Sequence, residues 1–74
     1  MNYRNYVKAN PDIMLGKPHI SGTRITVEIV IRKLAEGMEI KELLQAYPQL
    51  KKDDILAALS YSADVLAKEE MIAS

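Results

Sequence analysis

The chain changes period near residue 27. From there Val27, Val30, Ile31, Leu34, Ala35 and Met38 follow i, i+3, i+4, i+7, i+8, i+11, which predicts an amphipathic helix over residues 27–36. Thr26 stands where an N-cap belongs, Glu28 lies favourably in the first turn, and Gly37 suits the C′ position. Ile40, Leu43, Leu44 and Tyr47 share one face of a second helix over 40–47, which Pro48 ends. Ile55, Ala58, Leu59, Ser62 and Leu66 mark the stripe of a third helix over 51–70, with Asp53 and Asp54 in its first turn. With caps at Thr26, Glu39 and Lys51, the residues flanking each helix start form the apolar pairs Ile25/Val30, Met38/Leu43 and Leu50/Ile55, each placed to act as a hydrophobic staple. Glu39 and Lys51 are poor caps, weaker than Ser or Thr by about 1 kcal/mol each.

The first 26 residues have a different texture. Asn10-Pro11-Asp12 is a turn signal. Ile13-Met14-Leu15 is a short apolar run, broken by Gly16-Lys17-Pro18, resumed at His19-Ile20 and broken again at Ser21-Gly22. Two short strands on either side of Gly16-Lys17 are expected, with Pro18 at an edge. The chain therefore divides into an N-terminal arm (1–10), a short β segment with Gly-Lys-Pro and Gly-Thr-Arg turns (11–26) and a helical bundle (27–74), all within one domain.

The third helix is apolar around most of its circumference, because Leu56, Ala57, Tyr61, Ala63, Val65 and Ala67 lie off its stripe. Either the N-terminal hairpin covers these residues or a second copy does. Length favours the copy: 74 residues bury only roughly 60% of the unfolded surface. The absence of cysteine and the single histidine, His19, exclude both a disulfide and a His/Cys zinc site. A homodimer is expected, with Ile29, Leu56, Tyr61 and Val65 at its interface.

Charge sums to zero but is unevenly placed. Residues 1–26 hold four basic side chains against Asp12 alone; residues 27–74 hold six basic against nine acidic. Lys17, His19, Thr23 and Arg24 fall within eight residues with no acid among them. Arg24 suits bidentate contact with phosphate or guanine, and suits equally a structural pair with a helix carboxylate. Residues 40–59 fit a helix-turn-helix or a plain helical corner. In the first case Lys51 and Lys52 would meet phosphates, opposed by Asp53 and Asp54 beside them. Catalysis is not expected. His19 has no nucleophile, and the pairs Asp53/Asp54 and Glu69/Glu70 splay about 100° apart on a helix. The glycines form no phosphate cradle, and neither a metal nor a cofactor is expected. No apolar run approaches the roughly 20 residues of a membrane helix and no signal-peptide pattern occurs, so a cytoplasmic location is expected.

Pro11-Asp12-Ile13 and the stretch from Gly16 through Val27, Gly-Lys-Pro-His-Ile-Ser-Gly-Thr-Arg-Ile-Thr-Val, resemble the signature of the domain of unknown function 433 family. The likeness continues through Leu34, Gly37-Met38, Leu43-Leu44, Tyr47-Pro48, Leu50, Asp54-Ile55 and Ala57-Ala58-Leu59, departing at Glu39 and Lys51, where Ser or Thr is usual. It implies a mainly α, three-helix homeodomain-like (helix-turn-helix) bundle preceded by a short β segment. It further implies a dimeric antitoxin that binds its own promoter DNA and neutralises a PIN-like nuclease. DNA contacts would come from Lys17, His19, Thr23, Arg24, Lys51 and Lys52. The alternative is a protein-interaction module that never touches DNA, working through Leu56, Tyr61, Val65 and the tail to Ile72.

Overall fold

The computed structural model describes residues 2–73, and the side chains of all of these except Met14 and residues 69–73. A 3-10 turn at Tyr3–Asn5 leads into strand β1 (Val7–Lys8). A second 3-10 turn at Met14–Gly16 precedes β2 (His19–Ile20), and three helices follow: α1 (Val27–Ala35), α2 (Ile40–Ala46) and α3 (Lys52–Ala73). The result is a three-helix bundle preceded by an antiparallel pair, with Val7 opposite Ile20 and Lys8 opposite His19.

The first strand lies in the N-terminal arm and not at Ile13–Leu15. Two successive turns occupy that stretch. The Asn10 carbonyl accepts from the Ile13 N–H at 2.9 Å and the Ile13 carbonyl from the Gly16 N–H at 3.0 Å. The Asn10 side chain accepts from the Asp12 N–H at 2.9 Å. Backbone groups committed to turns are not free for a ladder. β2 is instead bonded on both edges: the Ser21 N–H donates to Tyr6 at 2.7 Å on one side, and the Ile20 N–H to Ile25 at 2.8 Å on the other.

The helix starts show how weak caps are rescued. Thr26 Oγ1 accepts from the Ile29 N–H at 3.1 Å. The first N–H of α1, on Val27, donates to Pro18 at 3.0 Å, fastening the hairpin to the helix. At α2 and α3 the third helical residue reaches back to the cap. Glu42 accepts from the Glu39 N–H at 3.0 Å and Asp54 from the Lys51 N–H at 2.9 Å, the returning half of a capping box. Gly37 ends α1 at φ +98°, the left-handed region open to glycine. All six staple residues join the core or pack on it.

The largest fully buried side chains come one from each layer: Ile20 from β2, Val30 from α1, Leu43 from α2 and Ile55 from α3. The buried face of α3 is rotated from the expected stripe. Ala57 is fully buried and Tyr61 half-buried, whereas Leu59 and Leu66 are exposed. The arm explains the rotation: the Tyr3 ring meets Tyr61 edge-on at 5.5 Å. Ala35, expected on the α1 stripe, is exposed. Leu43→Ala is expected to cost about 2–5 kcal/mol. A chain of 74 residues has only about 4–11 kcal/mol in total, so urea denaturation should show the variant losing a large share of its folded population.

Candidate functional site

Helix α3 presents two exposed apolar surfaces roughly a quarter-turn apart, with Leu59 and Leu66 (i, i+7) side by side between them. Leu56, Leu59 and Ala63, spaced i, i+3, i+7, form an outer stripe exposed along its length. Beside it the core stripe continues past the body. Ser62, Val65 and Leu66 face Val27 and Ile31 of α1 across an open groove of about 560 Å³, closed at one end by Pro18. Lys17, Glu28 and Arg32 are its charged lining residues.

The rim is a small charge network. Arg32 Nε donates to Glu28 Oε2 at 2.9 Å across one helical turn. That hydrogen bond, the guanidinium charge and Lys17 hold the Glu28 carboxyl below the usual glutamate range. At the far side of α3 the Asp64 carboxylate, accepting from the Tyr3 hydroxyl, pushes the phenol above its ordinary value, aided by desolvation.

The structure separates the residues expected to meet DNA. His19 is buried, and its Nδ1 lies 3.0 Å from the Lys17 carbonyl, so the ring donates to its own hairpin. Thr23 Oγ1 donates to Ile20 at 2.8 Å and accepts from the Ile25 N–H at 3.0 Å, locking the turn that Gly22 opens at φ +78°. Both residues hydrogen-bond within the hairpin and the turn that follows it. Arg24 is exposed, and among the described residues it forms no ion pair. Lys51 and Lys52 are exposed at the start of α3, with Asp53 exposed beside them and Asp54 turned back as a cap. Lys17 sits beside Tyr61–Leu66, about 15–20 Å further along the α3 axis. Lys17 therefore lies apart from the Lys51–Lys52 pair.

The four expected interface residues are likewise divided. Leu56 lies on the outer stripe, Val65 in the groove, Tyr61 half-buried against Tyr3, and Ile29 exposed on α1. The hairpin and arm thus cover Tyr61 and Ala57 and leave the rest open. Ile72 and the Glu69/Glu70 pair lie outside the described side chains. A surface with no signal in the periodicity is Leu15, 93% exposed and held at φ +56°. Among the described residues no helix is long and apolar enough to cross a membrane.

The model of the family described as protein of unknown function (DUF433) matches residues 7–62. The chain belongs to the DUF433 family. A crystal structure of a DUF433 member protein from Anabaena variabilis shares the fold at a TM-score of 0.80 and 30% identity, over 96% of this chain and 71% of that one. Uncharacterized protein y4eO of Sinorhizobium fredii is 36% identical over 59 residues, which is 80% of this chain. The chain spans about a quarter (27%) of the length of that curated relative. The DUF433 match begins at β1 and stops at Ser62, where neighbouring elements cease to bury α3.

A carboxyl whose folded pKa is lowered adds stability above its unfolded pKa and loses it as pH falls through the folded value. Glu28 and Arg32 are exposed, so that contribution is small. The direct check is carboxyl NMR: Glu28 should titrate below the ordinary glutamate range, and Arg32→Ala should move it back up.

Proposed function

We propose that this chain is an antitoxin-like module whose principal work is to hold a partner protein, the family resemblance suggesting a PIN-like nuclease. The observation that carries this reading is the outer stripe of α3. In a helix-turn-helix protein the exposed face at the start of the last helix would carry groups that reach base edges. Here that face carries Leu56 and Leu59, each about 40% exposed (38% and 40%), followed by Ala63. Aliphatic side chains at i, i+3, i+7 suit a helix laid against a hydrophobic groove of another protein. Co-expression with the product of the adjacent gene tests it. A complex should survive purification, and Leu56→Asp should abolish it while leaving the chain folded; no complex, or one indifferent to Leu56→Asp, removes the basis of the reading.

Autoregulatory DNA binding is a second reading, favoured by the exposed, unpaired Arg24 and by Lys51 and Lys52 at the α3 start. So few separated contacts would give modest, salt-sensitive affinity. Fluorescence anisotropy at low salt should show preference for the chain's own upstream duplex over random duplex, and a loss of affinity on Arg24→Ala. Equal binding to both duplexes, unchanged by Arg24→Ala, argues decisively against it.

A further inference from the structure

We propose that Leu15 is a second anchor on the partner protein, received in an apolar pocket with carboxylates at its mouth. This rests on the partner-protein reading and extends it to a loop which that reading does not use.

Two unfavourable features coincide at this residue. A lone exposed leucine is ordinary on a protein surface. Leu15 is 93% exposed and also stands at φ +56°, where Cβ crowds the backbone and a bulky residue is an outlier. The other left-handed positions among the described residues are glycines: Gly16, Gly22 and Gly37. Glycine at position 15 would adopt this conformation without strain and without an apolar side chain in water. Leu15 belongs neither to the core nor to the lining of the groove. Strain that serves no packing within the chain points to a contact made outside it.

The loop is fixed before any partner arrives. The Asn10 carbonyl accepts from the Ile13 N–H at 2.9 Å, and the Ile13 carbonyl from the Gly16 N–H at 3.0 Å. The Asn10 side chain holds the Asp12 N–H at 2.9 Å. Binding through a fixed turn leaves little loop entropy to be lost.

Position and charge say what receives the side chain. Lys17 follows two residues later, so its Cα lies within about 7 Å of that of Leu15. Lys17 lines the groove together with Val65 and Leu66, and Leu66 stands beside Leu59 of the outer stripe. A protein laid along α3 therefore reaches Leu15 at that end. Lys8, where β1 enters the loop, and Lys17, near its exit, are both exposed, and carboxylates on the partner complement them. An anionic lipid surface fits less well, because the exposed Asp12 on the same loop would be repelled by it.

The test is calorimetric titration of the 74-residue chain with the purified product of the adjacent gene, with urea denaturation of each variant. Leu15→Gly should raise Kd about tenfold or more, as expected for one leucine side chain no longer buried, while its urea midpoint holds or rises. Leu15→Met, of similar size, should bind nearly as the wild type does. Lys8→Glu should weaken binding, and less so at high salt. A complex indifferent to Leu15→Gly overturns the inference and leaves the α3 contact, read by Leu56→Asp, standing. A Leu15→Gly variant whose urea midpoint falls with its affinity gives Leu15 a structural role and overturns the inference too. So does self-association of the chain alone that Leu15→Gly abolishes, which places the receiving pocket on a second copy. No complex with the wild type overturns both this inference and the partner-protein reading.

Discussion

A helix can be buried only along the length that its neighbours reach, and in this chain α1, α2 and the N-terminal arm reach α3 as far as Tyr61 and Ser62. The 22 residues of α3 run for about 33 Å. Its first ten anchor the core through Ile55, Ala57, Ala58 and Tyr61; the following turns carry the same apolar stripe into the open. The groove and the exposed Val65 and Leu66 follow from that mismatch of lengths.

The short hairpin decides where the covering stops. β2 is two residues long, yet it is bonded to β1 on one edge and to the segment before α1 on the other. Through it the arm is pinned against α3, and Pro18 is pinned to the first N–H of α1. Two residues that look chemically able, His19 and Thr23, are consumed in holding this arrangement. What remains exposed includes the cations Lys17, Arg24, Lys51 and Lys52 and the two apolar surfaces of α3.

The two exposed apolar surfaces of α3 differ in their surroundings. The outer stripe has no charge beside Leu56 and Leu59 other than Lys52 and Asp53 at the helix start, whereas the groove is framed by a mixed-sign rim. A helix apolar on both sides has no strong amphipathic direction, and for that reason periodicity by itself gave the wrong rotation for its buried face.

Local chemistry determined much of this protein from its sequence. The three helices, the Thr26 cap, the Gly37 terminus and the staple pairs depend on residues close together in the chain, so they were legible there. The Gly-Lys-Pro to Thr-Val stretch was enough to mark the family. The rescue of the poor caps by Glu42 and Asp54 was present as a three-residue spacing. Tertiary structure alone decided the rest. A two-residue strand at Val7–Lys8 has no periodicity to announce it, and only pairing with β2 makes it one. Tyr61 faces inward because Tyr3, far away in sequence, packs edge-on against it. His19 is buried and Leu15 exposed for the same reason: burial depends on which distant segments arrive at a residue, and no local pattern encodes that arrival.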